Sequence, residues 1–189
     1  SRNSKHVTTI KQYENNRYSR ILGYGASRGE VIVHNNDIVE AINSSDEWIK
    51  QRTGISTRHR ASENHTVNDL AIAAAHDALA NSHVTGEQID VVIISTISHP
   101  YATPSLAVLV ADAIGSRCPA YDISAACAGF CYGIAQADAM VRSGMAQNVL
   151  VIGVEKLSDF IDNTERSISF LLGDGAGAAV VGVSDEPGI

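Results

Sequence analysis

The sequence is short of positive charge and of long apolar segments, and each shortage excludes a class of protein. Its 189 residues contain 14 Lys and Arg against 21 Asp and Glu, which gives a formal net charge of -7. Nucleic-acid-binding proteins need a basic patch, and this balance does not predict one. No apolar run reaches membrane-spanning length, and the beginning of the chain has no hydrophobic signal segment. We therefore expect neither nucleic acid nor a membrane as a partner.

Cysteine is also scarce, with three residues at Cys118, Cys127 and Cys131. The number is odd and no paired CxxC motif is present, so neither a disulfide framework nor a zinc site is predicted. The seven histidines do not show zinc-ligand spacing either. We expect a reduced, cytoplasmic environment, no metal and no bound cofactor. Cys118 and Cys131 are interpreted as core residues, because a free cysteine packs like a small hydrophobic side chain.

What the sequence does contain is the composition of a globular domain, 44% hydrophobic and 19% charged, with enough residues for one core. Residues 1–19 are polar and are interpreted as an N-terminal extension, and residues 20–189 as one domain. In this domain strands and helices alternate, which predicts an α/β fold with a largely buried sheet. Strands are predicted over 21–24, 89–96, 120–124, 149–154 and 176–183, and helices over 35–43, 66–81, 104–114 and 126–143.

Cys127 is the strongest candidate for a catalytic residue, because it falls where a predicted strand ends and an apolar helix begins. N–H groups at a helix N-terminus carry partial positive charge, which favours the nucleophilic thiolate. A small buried core residue is the alternative interpretation, but the flanking Ala and Gly residues leave room for a substrate carbonyl. The helix is apolar all round in its first turns, which predicts burial on all sides. Cys127 would then lie at the floor of a tunnel that suits a long, thin thioester.

Four motifs carry a resemblance to a known family. They lie at 124–130 around Cys127, at 45–49 with 52–55, at 163–166 and at 173–177. In order and spacing they resemble the β-ketoacyl-acyl carrier protein synthase III family, from about residue 20 to the end. The resemblance implies a thiolase-like fold, of which this chain would be the N-terminal half-domain. That half-domain has a mixed sheet layered between helices and a buried catalytic helix.

The same resemblance implies a decarboxylating Claisen condensation that starts fatty acid biosynthesis. Cys127 would take an acyl group from acyl-CoA, and malonyl-acyl carrier protein would then lose carbon dioxide and attack the acyl thioester. The backbone N–H of Cys127 would contribute to an oxyanion hole. The family's catalytic His and Asn lie in a second half-domain, so residues 1–189 alone are not expected to complete the condensation. Family habit also implies a homodimer.

Four residues match family positions at the coenzyme A site. Trp48 and Arg166 would hold the adenine between an indole and a guanidinium, both of which stack on a purine. Arg52 would lie near the phosphates, and Ser44 would offer a hydroxyl to the adenine. From the residues alone, Trp48 fits a core position about equally well, Arg52 fits an ordinary loop cation and Ser44 fits a helix N-cap.

Two further site predictions concern the acyl pocket and the carrier protein. Thr103 stands where several family members have a large side chain that closes the acyl pocket from the neighbouring subunit, so a smaller Thr predicts a primer larger than acetyl. Arg58 and Arg60 belong to a local basic patch that would help to dock an acidic acyl carrier protein, although a solvated basic loop explains them as well. Residues 173–177 look like a dinucleotide fingerprint, but a strand-like run follows them. We therefore predict a tight turn against the catalytic helix.

Three other functions stay open from the residues. An acyltransferase on the same scaffold, acting in secondary metabolism, would pass the acyl group of Cys127 to an alcohol or an amine. The small residues Ala125 and Gly129 around Cys127 also resemble the nucleophile elbow of a cysteine hydrolase, which would act on simple esters. The third function is not catalytic: a half-domain that serves in binding or dimerisation.

Overall fold

The computed structural model describes residues 17–189, in which strands and helices alternate. In chain order the elements are β1 (Tyr18–Arg28), β2 (Val31–His34), α1 (Asp46–Thr53), β3 (Thr57–Arg60), α2 (Val67–Ser82), β4 (Val91–Ser95), α3 (Leu106–Ala113), β5 (Ala120–Ile123), α4 (Gly129–Arg142), β6 (Asn148–Lys156) and β7 (Asp174–Ser184). Within this described part of the chain, no helix has the length and apolar character needed to cross a membrane.

Five of the strands form one mixed sheet in the order β1-β7-β6-β4-β5. β4 runs parallel to both β5 and β6, whereas β7 runs antiparallel to β1 and β6. Every residue of β4 is buried, as expected for a parallel strand that is covered on both faces. The predicted α/β class is confirmed, with a sheet of mixed strand direction.

The two faces of this sheet pack against different helices, because successive side chains of a strand point to opposite faces. Leu150 and Ile152 of β6 belong to the core that forms with α2 and α3. Val149 and Val151 of the same strand belong to a second core, which forms with α4. The sheet therefore lies between two helical layers, which explains why its central strands are apolar without alternation.

Helix α2 lies in direct backbone contact with β1. The hydroxyl of Thr66 caps its first turn. A Cβ on Gly25 would lie 2.2 Å from the backbone nitrogen of Ala78, and one on Gly23 would lie 2.4 Å from that of Ser82. Only glycine permits so close an approach. The helix that apolar spacing predicts in this segment is confirmed.

The region between β1 and α2 differs most from the prediction. The helix predicted over 35–43 is wrong: Asn35–Asp37 form one short 3-10 turn, and β2 and β3 pair as a separate two-stranded sheet. Helix α1 begins only after Ser45, whose hydroxyl accepts a hydrogen bond from the N–H of Trp48 (3.1 Å). Ser44 is therefore not the helix cap that the residues alone allowed.

Strand β1 begins at Tyr18, inside the segment 1–19 that we predicted as an extension. Ser19 is buried, pairs with β7 and donates a hydrogen bond to Asp138 of α4 (2.7 Å). Pairing with a strand so distant in sequence is not visible in a polar segment, so sequence alone places the boundary too late. The rest of the predicted extension, residues 1–16, lies outside the described residues.

Candidate active site

Cys127 lies in a sharp turn between β5 and α4. β5 ends at Ile123, a short 3-10 turn spans Ala126–Ala128, and α4 begins at Gly129. Ala126 has a φ of 45°, in the left-handed region that residues other than glycine rarely adopt. Strain of this kind persists only where the surrounding structure enforces it, and it is typical of functional sites. The predicted strand-to-helix junction at Cys127 is confirmed, with a tighter turn than the sequence suggests.

Two glycines let α4 approach the sheet beside this turn. A Cβ on Gly129 would lie 1.8 Å from the Oγ of Ser95, the last residue of β4. A Cβ on Gly133 would lie 2.7 Å from the side chain of Val151 in β6. The beginning of α4 is thus fixed near the carboxyl ends of the parallel strands, where open α/β sheets bind their ligands. Cys127 is held at that edge by close packing of the helix that follows it.

The opposite face of α4 is open in the described part of the chain. Cys127 and Cys131 are both exposed, and Phe130 and Tyr132 are 36% and 56% exposed. Within residues 17–189, only the glycine-containing face of the helix meets the sheet, and these residues form no tunnel around Cys127. Burial of the helix on all sides and a core position for Cys131 stay predictions. Cys118 is half-buried and packs against the core of α2 and α3.

A loop over 96–105 forms the next wall of the site, and two carboxylates hold its ends. Glu155 of β6 accepts hydrogen bonds from the N–H of Ile97 (2.9 Å) and from the hydroxyl of Ser98. Asp122 of β5 accepts from the first two N–H groups of α3 (2.7 and 2.8 Å), where the helix dipole favours negative charge. Sequence reasoning missed both carboxylates, since an acidic residue at the end of an apolar strand is their only signal.

An open groove of about 240 Å³ lies between this loop and the end of β5. Ile97 and Tyr101 line the groove and are 52% and 65% exposed, and Ser124 lines it from the turn that carries Cys127. Apolar side chains beside a nucleophile are suited to an acyl chain. Thr103 is exposed on the same loop and does not line the groove. Its contact with an acyl pocket stays a prediction.

A second cluster forms around Trp48 on α1. The guanidinium carbon of Arg52 lies 4.3 Å from the centroid of the Trp48 ring, and that of Arg166 lies 5.0 Å from it. Both distances are within the range of cation–π attraction. Phe170 packs edge-on against the same ring, with 5.4 Å between the centroids. Ser44 lies just before α1, half-buried, and its hydroxyl has no hydrogen-bond partner. The structure thus brings together residues that the motifs predicted for one site.

The basic patch predicted at Arg58 and Arg60 is wrong for Arg58. This side chain is 6% exposed, and its guanidinium donates to the carbonyls of Val33 and Phe170 and to the side chain of Asn35 (3.1, 3.2 and 2.6 Å). Burial, and then the neighbouring charge of Arg60, lowers the pKa of Arg58. Arg60 is half-buried and also bonded within the chain, through both terminal nitrogens. The buried guanidinium of Arg58 supports the fold and is not presented to a carrier protein, whereas a docking role for Arg60 stays a prediction.

Asp174, the first residue of β7, is a buried anchor that sequence reasoning missed. It is 4% exposed, and its carboxylate accepts hydrogen bonds from the N–H groups of Ala61 (2.8 Å) and Ser158 (3.0 Å). A Cβ on Gly173 would lie 2.8 Å from the carbonyl oxygen of His59 in β3. Gly173 therefore packs against β3. The predicted tight turn over 173–177 is wrong, because residues 174–177 are the first residues of β7 and pair with β1 and β6. Contact of this segment with the catalytic helix stays a prediction.

Comparisons with known sequences agree on one family. The family model described as 3-oxoacyl-[acyl-carrier-protein (ACP)] synthase III matches residues 121–189. The β-ketoacyl-[acyl-carrier-protein] synthase III of Kocuria rhizophila is 62% identical over 184 residues, which are 97% of this chain and 52% of that protein. Synthase III 1 of Streptomyces avermitilis is 50% identical over the same shares of the two chains. The chain spans about half the length of the curated relatives it matches.

Two solved structures have the same fold. The priming β-ketosynthase from the R1128 polyketide biosynthetic pathway has a TM-score of 0.90 at 43% identity, over 95% of this chain and 54% of that one. The 3-oxoacyl-[acyl-carrier-protein] synthase III of Aquifex aeolicus has a TM-score of 0.86 at 41% identity, over 89% and 55%. The chain belongs to the β-ketoacyl-[acyl-carrier-protein] synthase III family. The predicted thiolase-like fold is thereby confirmed.

The surroundings of Cys127 and the cluster around Trp48 lie in parts of the chain that are matched by different comparisons. Cys127 and Arg166 lie inside the range of the family model, whereas Trp48 and Arg52 lie before it and are covered by the longer match to the Kocuria relative. Among residues 17–189, no group of three or more His, Cys, Asp or Glu is arranged to hold a metal ion. One domain thus carries a candidate nucleophile and a candidate nucleotide-binding cluster.

Proposed function

We propose that this chain is part of a condensing enzyme, a β-ketoacyl-[acyl-carrier-protein] synthase III that starts fatty acid biosynthesis. Cys127 takes an acyl group from acyl-CoA, and the acyl-enzyme condenses with malonyl-acyl carrier protein. One observation carries the proposal: an exposed cysteine on a strained strand-to-helix turn shares its domain with the cluster of Trp48, Arg52 and Arg166. Relatives with this name at 62% and 50% identity support it.

The acyl group is transferred in the first half-reaction. The thiolate of Cys127 attacks the thioester carbonyl, the bond from the carbonyl carbon to sulfur breaks, and coenzyme A leaves as a thiolate that takes up a proton. The N–H of Cys127 stabilises the oxyanion, and the partial positive charge at the beginning of α4 favours the thiolate. In the second half-reaction the malonyl thioester loses carbon dioxide, and its α-carbon attacks the acyl carbonyl. The Cys127 thiolate is released as the new carbon–carbon bond forms.

The Trp48 cluster holds the nucleotide end of coenzyme A in this proposal. An adenine stacked between Trp48 and Arg166 needs about 7 Å between the two flat groups, which is twice a van der Waals contact. The guanidinium carbon of Arg166 lies 5.0 Å from the ring centroid, so Arg166 has to move outward on binding. Arg52 stays beside the phosphates. The unpartnered hydroxyl of Ser44 supports a hydrogen bond to the adenine, since an unsatisfied polar group is costly.

The remaining parts of the active site come from other segments in this proposal. The chain spans 52% of the Kocuria relative, and we expect the remaining length of the whole protein to supply the His and Asn that promote decarboxylation. A second copy pairs through β5, an edge strand of the large sheet, because two edges can continue one sheet across a twofold axis. Thr103 then contributes to the partner's acyl pocket and admits a primer larger than acetyl. Reduced cysteines support a cytoplasmic location.

Intact mass spectrometry of the full-length protein tests the acyl-enzyme. After incubation with a mixture of acyl-CoA thioesters, the wild type and Cys131→Ala should each gain one acyl group, and Cys127→Ala should gain none. Cys131 is the matched control because it is exposed on the same open surface. Malonyl-acyl carrier protein should then remove the adduct. An adduct that survives Cys127→Ala would disprove the nucleophile, and a wild type without any adduct would favour a hydrolase or a binding module.

One observation favours a second candidate, a cysteine hydrolase. The left-handed φ of Ala126, directly before Cys127, resembles the strained turn of a nucleophile elbow. A hydrolase would cleave p-nitrophenyl butyrate without coenzyme A and would not need Trp48 or Arg166. Steady turnover of that ester by the full-length protein, unchanged in Trp48→Ala and without a stable acyl adduct, would favour this candidate over the condensing enzyme.

A further inference from the structure

Strand β3 carries two arginines on one face. Arg58 and Arg60 are separated by one residue, so their side chains leave the strand in the same direction. They pair in register with Val33 and Val31 of β2, in the small sheet that is separate from the large one. Both guanidiniums nevertheless reach the segment that precedes β7. The two arginines therefore connect the small sheet to the walls of the Trp48 cluster.

Arg60 holds both ends of the loop that carries Arg166. Its Nη1 donates to the side-chain oxygen of Asn163 (2.8 Å), and its Nη2 donates to the carbonyl of Ser169 (3.0 Å). A guanidinium is a rigid planar fork, so these two bonds fix the distance across the loop. Between the two bonds Arg166 is exposed, with its guanidinium carbon 5.0 Å from the Trp48 ring.

Side chains within this loop shape it without attaching it to the rest of the domain. Asp162 accepts hydrogen bonds from the N–H and the hydroxyl of Thr164 (2.8 and 2.7 Å). Glu165 accepts in the same way from Ser167 (3.0 and 2.7 Å). Such turns set the local backbone only. Arg60, by contrast, bonds both ends of the loop from a different strand.

Arg58 supports the opposite wall of the cluster. It donates to Asn35, whose amide donates in turn to Asp46 in the first turn of α1 (2.8 Å), the helix that carries Trp48. It also donates to the carbonyl of Phe170, whose ring packs against Trp48. One strand therefore braces both the helix with the indole and the loop opposite it.

We propose that Arg60 is a positioning residue for the nucleotide end of acyl-CoA, because it holds the 163–169 loop so that Arg166 faces Trp48. The inference rests on the proposed function, since it assigns Arg60 to the coenzyme A site of that enzyme. The terminal nitrogens of Arg60 bond neutral oxygens, so its charge is not cancelled there and adds to the positive potential that favours phosphates. Arg60 acts through Arg166 and does not itself touch the nucleotide.

Two thioesters that differ only in the nucleotide test this proposal. The full-length enzyme is assayed with butyryl-CoA and with butyryl-pantetheine, which lacks the nucleotide. Arg60→Met should raise KM for butyryl-CoA about tenfold, keep kcat within about twofold and leave KM for butyryl-pantetheine unchanged. Arg60→Lys keeps the charge but loses the fork, and should raise KM for butyryl-CoA by only about threefold. Arg117→Met changes an exposed arginine outside the cluster. It should leave KM for butyryl-CoA and KM for butyryl-pantetheine unchanged.

Other outcomes would overturn the inference. A KM that rises equally for both thioesters in Arg60→Met would show a general structural role. A wild-type preference for butyryl-CoA that persists in Arg60→Met would refute the role of Arg60 and leave the proposed function intact. A wild type that uses both thioesters equally would remove the coenzyme A site itself, and the inference with it. If Arg60→Met does not fold, Arg60→Lys is used instead. The ratio of its KM for butyryl-CoA to its KM for butyryl-pantetheine then decides between these outcomes.

Discussion

The surroundings of Cys127 and those of Trp48 are built from opposite kinds of residue. The turn at Cys127 depends on backbone conformation and on small residues, with Ala126 in a left-handed conformation and Gly129 against the sheet. The cluster at Trp48 depends on two long charged side chains, Arg52 of the same helix and Arg166 of a segment distant in sequence. The turn at Cys127 is thus sensitive to one added methyl group. The cluster at Trp48 is sensitive to the loss of a charge or to a shorter side chain. The predictions below test this difference.

The largest effect is expected at the nucleophile. Cys127→Ala should reduce condensation by the full-length enzyme about 10³-fold or more, as the loss of a covalent nucleophile does. Cys131→Ala should reduce it by less than about threefold, because the proposed chemistry does not use this thiol. The rate of ketoacyl product formation measures both. A Cys127→Ala variant that keeps most of its activity would move the chemistry away from this turn altogether.

One methyl group tests the importance of shape beside Cys127. Gly129→Ala places a Cβ 1.8 Å from the Oγ of Ser95, whereas Gly177→Ala meets no atom within 4 Å. Overpacking costs about 1–3 kcal/mol, so Gly129→Ala should lower the free energy of unfolding by about that amount. Gly177→Ala should change it by about 0.5 kcal/mol or less. Urea unfolding measures both values, and Ser95→Ala should recover part of the loss. Equal stability of the two glycine variants would show that α4 has room at this position.

Removing an aromatic ring tests the second region. Trp48→Ala deletes the ring on which the adenine stacks in the proposed function, and stacking of a base on an aromatic ring contributes about 1–3 kcal/mol. KM for butyryl-CoA should therefore rise about tenfold, while KM for butyryl-pantetheine stays within about twofold. Trp48→Phe keeps a flat ring, so it should raise KM for butyryl-CoA by only about threefold. A similar rise in KM for both thioesters would mean that Trp48 only supports the fold. The contrast between the two regions would then fail.

The smallest effect concerns Glu30, which lies outside both regions and accepts hydrogen bonds from the loop after β3. Hydrogen bonds from Ser62 and then from His65 lower the pKa of Glu30 from 4.5 to about 2. A carboxylate with a lowered pKa stabilises the folded state above its unfolded pKa, and this contribution is lost as the pH falls through the folded pKa. The Tm difference between wild type and Glu30→Gln should therefore shrink as the pH falls from 4.5 to about 2. It should be small throughout, because Glu30 is exposed. A Tm difference that is constant over this range would contradict the role of Glu30.

Much of the large sheet and the position of Cys127 follow from local patterns. The buried strands β4 and β6 are continuous apolar runs, α2 has helical spacing, and their predicted bounds lie within a few residues of the observed ones. The small sheet was not predictable in the same way, because β2 and β3 have four residues each and their exposed positions show no clear alternation. The residue at which α1 begins depends on whether Ser44 or Ser45 caps the helix. Because the two serines are adjacent, the sequence does not show that Ser45 is the cap.

The sequence by itself determined the α/β class and the strand-to-helix junction at Cys127, and its resemblance to a known family pointed to Trp48, Arg52 and Arg166 as one cluster. Only the tertiary structure decided that Arg58 is buried, that Arg60 holds a loop and that α4 leaves one face open among the described residues. The oxygens that Arg60 binds belong to residues 103 and 109 positions further along the chain. A sequence shows which side chains carry donors. Whether those donors meet water or protein depends on contacts between remote segments, which form only when the chain folds.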